Sequence, residues 1–124
     1  MHPTEYQKKS DIFSIENRFF NIPVRKEYLL RWVGRGKRVL DLGCGTGKIS
    51  KLIKDQNNEV YGVEVNPIAA AEAQTLGIRV KIFDLSEGIP FEDEGFDFVH
   101  AGAVLEYIYD TRFFMEECNR VLKP

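Results

Sequence analysis

The chain has 124 residues, 44% of them hydrophobic and 29% charged, with a formal net charge of −2. That size and balance fit one soluble globular domain with a single core and exclude disorder along the whole chain. The apolar stretches are short and broken by charge, which excludes a spanning helix, and Met1-His2-Pro3-Thr4-Glu5 lacks the charged-then-apolar pattern of a secretory signal, so a cytoplasmic protein is expected.

Residues 1–20 are polar with scattered aromatics (Tyr6, Phe13, Phe19, Phe20). Asn21-Ile22-Pro23 then opens a helix in which Val24, Tyr28, Leu29 and Trp32 recur at helical spacing until Gly34 stops it. Residues 1–38 hold nine Lys or Arg against four acids, and the remainder holds eight against fifteen. The basic excess is read as the solvated face of that helix (Arg25, Lys26, Arg31, Arg35) and its exit (Lys37, Arg38), not as a nucleic-acid surface. A sheet begins after Gly36, which divides the chain into an N-terminal helical segment, 1–36, and a ligand-binding domain, 37–124.

Strand one is predicted over Arg38 to Leu42 and a helix from about Lys48 to Lys54. Strand two follows at Glu59 to Val65, and Pro67 in a first helical turn starts an Ala-rich helix through Leu76. Gly77 ends that helix. Strand three is Ile78 to Phe83, a turn-rich stretch runs from Asp84 to Gly95, strand four is Phe96 to Ala101, and a last helix covers roughly Thr111 to Leu122. Mostly apolar strands alternating with helices imply an α/β fold, a doubly wound parallel sheet covered on both faces.

Between strand one and its helix lies Asp41-Leu42-Gly43-Cys44-Gly45-Thr46-Gly47. Three alternating glycines accept positive φ values and keep side chains out of a cradle of backbone amides, and the first turn of the next helix adds unpaired N–H groups that favour an anionic ligand group. Ligands of parallel α/β sheets bind beyond the carboxyl ends of the strands. Glu64 stands there, at the end of strand two and 21 residues after Gly43, and a carboxylate can accept hydrogen bonds from both hydroxyls of a ribose. Asp84, at the end of strand three, is placed to meet an adenine edge, although Asp84-Leu85-Ser86 also reads as a turn opener. Cys44 occupies a small-residue position in the loop and Cys118 lies on the last helix; without CxxC spacing or a His cluster, neither a bridge nor a metal site is expected.

The dinucleotide pattern GxGxxG is not met, since Lys48 or Ser50 stands in the third glycine place, and the phosphate-loop pattern fails at Ile49. Residues 37–124 instead resemble the class I S-adenosylmethionine-dependent methyltransferases of the small-molecule-type branch. Four pieces in order carry the likeness: Val39 to Gly47; Val63-Glu64-Val65-Asn66-Pro67; Ile89-Pro90-Phe91-Glu92-Asp93 leading to Phe96-Asp97-Phe98-Val99; and Arg120-Val121-Leu122-Lys123-Pro124.

The resemblance implies S-adenosylmethionine as cofactor and a Rossmann-like sheet of order 3-2-1-4. It implies that Asp41 and the loop Gly43 to Gly47 surround the methionine part, with Glu64 on the ribose hydroxyls. Val65 lies against the adenine face, Asp84 and the Leu85 amide at the adenine edge, and Ala101 beside the methionine amino group. Methyl transfer from a sulfonium is an in-line displacement with the leaving group already built in, so the protein mainly positions the reactants and needs no covalent nucleophile or metal. The resemblance implies a small-molecule acceptor; amino-group methylation is disfavoured, since His100-Ala101-Gly102-Ala103 lacks its Asn/Asp-Pro-Pro-aromatic element, and Cys118 follows Glu117 where a base-methylating nucleophile follows proline. Glu106-Tyr107 replaces the Glu-His pair of many small-molecule O-methyltransferases. Tyr107 is read as orienting a substrate or packing on the sheet, and His100 as a packed or cofactor-adjacent residue instead of a base.

The family sheet continues past the Val-Leu-Lys-Pro segment, so only its first four strands are expected here, with strand four left as an open edge suited to self-association. A noncatalytic adenosyl-binding or interaction module and a nicotinamide-binding oxidoreductase remain as alternatives.

Overall fold

The computed structural model describes residues 22–124 except residue 103. Expectations for residues 1–20 lie outside these. The chain divides into two compact units, Met1–Trp32 and Val33–Pro124. Helix α1, Ile22–Val33, stops where Gly34 takes φ 73°. The apolar spacing that predicts this helix does not describe a buried stripe: Tyr28 and Trp32 are exposed and Val33 is buried.

In the second unit the elements follow the expected order. They are β1 (Arg38–Leu42), α2 (Lys48–Asp55), β2 (Glu59–Glu64), α3 (Pro67–Thr75), β3 (Arg79–Ile82), β4 (Phe98–His100) and α4 (Thr111–Val121), with short 3-10 turns at Leu85–Glu87 and Leu105–Tyr107. All four strands are parallel and lie in the order β3-β2-β1-β4, the Rossmann-like arrangement. β1 is central because Val39, Leu40 and Leu42 are apolar on both faces, and all are fully buried. β4 pairs with β1 on one side and has no strand on its other side among the described residues.

Register decides which layer each side chain enters. Leu40 and Leu42 pair with Tyr61 and Val63, and this face packs under α4 through Phe114, Cys118 and Val121, together with Ile89 and Phe96. Val39 and Asp41 pair with Val60 and Gly62 and face α2 and α3, where Ile53, Ala70 and Ala73 are buried. Gly62 has to be glycine, since a Cβ there would stand 2.7 Å from the Cys44 sulfur. α3 starts as its sequence suggests: Pro67 sits in the first turn and the Asn66 side chain accepts from the amides of Ile68 and Ala69.

Strand four is shorter than its predicted span, Phe96 to Ala101. The Phe96 amide donates to Val121 O at 2.9 Å and its carbonyl accepts from Lys123 N at 2.8 Å, so Phe96 pairs with the exit of α4 instead of extending β4. Its ring drives this choice: it is buried edge-on against Tyr61 and Phe91.

One arginine secures the turn-rich strap that precedes it. Arg120 donates to the carbonyls of Ile89 (2.8 Å) and Phe91 (2.9 Å), to Asp93 (2.7 Å) and to both oxygens of Glu117, which itself accepts from the Ile89 amide. The bonds from Arg120, more than that from Ile89, hold the Glu117 carboxyl below its ordinary range against the opposing effect of burial. Replacing Arg120 by Ala is expected to cost about 2 kcal/mol in urea unfolding, because two strap carbonyls and Glu117 lose their donors together. A carboxyl depressed by folding stabilises above its unfolded titration and loses that contribution as pH falls through its folded one. Stability measured against pH should therefore fall in acid, and less steeply in Glu117→Gln.

Candidate cofactor site

The crevice is built where β1 stops. Gly43, Gly45 and Gly47 all take positive φ, at 71°, 58° and 89°, so the reading of a tight glycine turn holds at each position. Their surroundings differ. A Cβ at Gly43 would overlap the Val104 side chain, and one at Gly47 would come 3.0 Å from the Ala73 Cβ, so Gly47 also lets α2 begin close against α3. At Gly45 a Cβ would meet nothing within 4 Å. Gly45 is thus the member of the three at which an added side-chain atom would meet no neighbour. The loop hangs from β2, with the Gly43 and Cys44 amides both donating to Val63 O at 2.8 and 3.1 Å.

Glu64 closes β2 beside this loop. One carboxylate oxygen accepts from the Gly45 amide and the other from the Asn66 amide, each at 2.9 Å. A carboxylate has about four lone-pair sites, so two acceptor positions remain for a ligand hydroxyl pair. The exposed apolar side chains Val65 (63%), Ile68 (73%) and Ile82 (54%) come from the ends of β2 and β3 and the first turn of α3. Ile82 is the register partner of Glu64. Large aliphatic groups on the wet side of a strand end suit the face of a flat, weakly polar ring.

Asp84 caps the 3-10 turn Leu85–Glu87, accepting from the Ser86 amide at 2.9 Å, and that bond holds its fully exposed carboxyl below the ordinary range. The structure therefore uses it as a turn opener while leaving it at the carboxyl end of β3, next to Leu85. Ala101 follows the last residue of β4.

Asp41 is 3% exposed and its carboxylate is engaged from two sides, by the Ser50 hydroxyl of α2 at 2.5 Å and by His100 Nδ1 of β4 at 3.0 Å. The sequence reads His100 as packed or cofactor-adjacent, and the structure gives it a bond to Asp41; Ser50 is not read from the sequence, its faint signal being a polar residue on the inner face of a short helix. Cys44 sits between two carboxylates in sequence and in space. Burial first, then the charges of Asp41 and Glu64, push its thiol up to about 12.

A second cleft is lined by Arg38, Tyr61, Lys81, Phe91 and Phe96 among others. Its guanidinium already stacks on the rings of Tyr61 and Phe96, and no glycine loop opens onto it. Among the described residues no group of three or more His, Cys, Asp or Glu is placed to hold a metal, and no helix is long and apolar enough to cross a membrane.

Residues 40–124 match the family model of a methyltransferase domain. The chain is 38% identical over 97 residues to an uncharacterised protein of Methanocaldococcus jannaschii, covering 78% of this chain and 44% of that one. It is 33% identical over 94 residues to a ubiquinone biosynthesis O-methyltransferase of Rhizobium johnstonii, covering 72% and 38%. Among solved structures it is similar to a S-adenosylmethionine-dependent methyltransferase from Aquifex aeolicus, with a TM-score of 0.67, 25% identity and coverage of 80% and 58%. The chain spans less than half the length of these two curated relatives.

Because thiolates and not thiols react, both cysteines should resist a thiol reagent at about pH 8 in the folded chain. Burial raises Cys118 as it does Cys44. Labelling followed by mass spectrometry is expected to find neither modified without denaturant and both modified in it.

Proposed function

The chain belongs to the class I S-adenosylmethionine-dependent methyltransferases, and from that membership we propose that it binds the cofactor in the crevice at the carboxyl ends of β1 and β2 and passes its methyl group to a small-molecule acceptor. Residues 37–124 form the cofactor-binding domain in this reading. One observation carries it. The acid that ends β2 is bonded to the amide of Gly45, the glycine whose missing side chain leaves open space, so a sugar and an amino-acid tail can be gripped at adjoining points.

The residues present fit the group. Glu64 keeps acceptor positions for the two ribose hydroxyls, Val65 offers an exposed apolar face to the adenine, and Asp84 with the Leu85 amide stands at the adenine edge. Asp41 and the turn of Gly43, Cys44, Gly45 and Gly47 enclose the methionine part, with Ala101 beside its amino group. The bound cofactor supplies an activated methyl on a sulfonium, which needs only to be met in line by the acceptor. What the chain contributes is placement. The glycine turn fixes the tail through backbone groups, and Glu64, itself held rigid by two amides, fixes the sugar; a preorganised grip loses little entropy when the ligand arrives.

Isothermal titration with S-adenosylhomocysteine and with NADH tests this reading. The adenosyl ligand should bind and NADH should not; binding of NADH alone would replace the proposal by the oxidoreductase alternative. Glu64→Ala should weaken S-adenosylhomocysteine by about 1–3 kcal/mol, the scale of hydrogen bonds to a charged group. Unchanged affinity in that variant would contradict the ribose assignment.

A further inference from the structure

The sheet face that packs under α4 changes character toward β3. Register puts Arg38, Leu40 and Leu42 of β1 on one face with Tyr61 and Val63 of β2 and with Arg79 and Lys81 of β3. Leu40, Leu42 and Val63 are fully buried, whereas Arg79 and Lys81 are exposed. Where Arg38, Tyr61 and Lys81 meet the strap of 89–96 they line a cleft of about 520 Å³, a size within the range of small-molecule pockets.

Aromatic rings and uncommitted cations line this cleft together. Tyr61, Phe91 and Phe96 pack mutually edge to face, with ring centres 5.2 to 5.7 Å apart. The Arg38 guanidinium lies 4.7 Å from the ring centre of Tyr61 and 5.1 Å from that of Phe96, and the Lys81 ammonium lies 4.3 Å from that of Phe91. A ring face attracts a cation but does not neutralise it. The other partners of these two cations are neutral carbonyls: Gly95 O accepts from Arg38 at 3.3 Å and Pro90 O from Lys81 at 2.7 Å. Arg38 Nε is covered and has no partner among the described residues, so the guanidinium retains unfilled donor capacity. Neighbouring acids are claimed elsewhere. Glu59 pairs with Arg79, Asp93 and Glu117 pair with Arg120, and Asp97 pairs with Lys123. Exposed Glu92 is the one acid among the described residues lining the cleft.

We infer that this cleft is a second ligand site, sharing no residue with the crevice of Gly45 and Glu64, for a small organic anion: an apolar or aromatic body against the ring cluster and a carboxylate met by Arg38 and Lys81. A guanidinium fork matches a planar carboxylate, and an ammonium on a flexible stem adds a point charge beside it. The rings supply the apolar lining that the body needs. A neutral ring forgoes the charge and an inorganic anion forgoes the body, so each uses half of what the cleft offers. The inference does not rest on the cofactor reading.

Titration of benzoate into the isotope-labelled full chain, followed by amide chemical shifts, tests it against benzamide, the neutral isostere, and inorganic phosphate, the oxyanion without a ring. Benzoate is expected to move the amides of Arg38, Lys81, Phe91 and Gly95 and to leave Gly45 and Val65 in place, with benzamide and phosphate each binding at least about fivefold more weakly. Raising the salt from about 0.02 M to about 0.5 M should weaken benzoate and leave benzamide unchanged. Lys81→Gln and Arg38→Gln should each weaken benzoate by about fivefold. Equal affinity for benzamide would reduce the cleft to an apolar hollow, and equal affinity for phosphate would reduce it to a plain anion site; either overturns the inference. Shifts absent, scattered over the surface or centred on Gly45 overturn it too, as does unchanged benzoate affinity in Lys81→Gln. Should Arg38→Gln not fold, Lys81→Gln decides, since that side chain is exposed. Benzoate bound in the cleft by a chain that ignores S-adenosylhomocysteine would remove the cofactor reading and leave this one, and the converse result would do the reverse.

Discussion

The Glu64 carboxylate ties together three neighbouring pieces of chain: the end of β2, the glycine turn after β1, and the N-cap of α3. It does so by accepting one backbone amide from each of the latter two, through Gly45 and Asn66. A tight turn of three left-handed glycines is intrinsically loose, because glycine gives up more conformational freedom on folding than any other residue. An ionic acceptor holding its middle glycine offsets that looseness, and charge-assisted bonds to backbone amides are among the stronger single contacts available. In the proposed function the same carboxylate grips the ribose, so one side chain would set both the cradle and the grip.

Behind the turn, Asp41 plays the structural counterpart. A carboxylate 3% exposed inside an α/β sheet requires partners, and it has them from both sides in Ser50 and His100. This fixes α2 and β4 to β1 at the point where the glycine turn departs. The geometry therefore has an acid on each side of the loop, each accepting two hydrogen bonds, with Glu64 partly exposed and Asp41 buried. In the proposed function the buried acid backs the turn around the methionine part and the partly exposed one meets the ribose, two places reached by one kind of side chain.

Most of the frame was legible in the residues. Alternating apolar strands and helices, Asn66-Pro67 as a helix start, Gly77 as a stop and the three loop glycines each carry a local signal, and each appears where that signal puts it. What was not legible depends on contacts distant in sequence. The pairing of Asp41 with His100 needs the register of β4 on β1, which no local pattern encodes. The Arg120 hub needs the strap of 89–93 folded under α4, so a residue seen only as part of a terminal motif proves to bind two carbonyls and two acids. Phe96 leaves the strand because its ring is claimed by Tyr61 and Phe91, a tertiary preference that overrides strand propensity. Tyr28 and Trp32 show the converse, a helical spacing of large apolar groups that is exposed.

One crevice, formed by Gly45 and the Glu64 carboxylate, is proposed to receive the cofactor. Amide chemical-shift mapping of the isotope-labelled chain with S-adenosylhomocysteine tests it residue by residue. The largest changes are expected on Gly45 and its neighbours in the loop, on Val65 and Asn66, and on Leu85. Changes confined instead to the second cleft, at Arg38, Tyr61, Lys81 and Phe91, would exclude that crevice as the site.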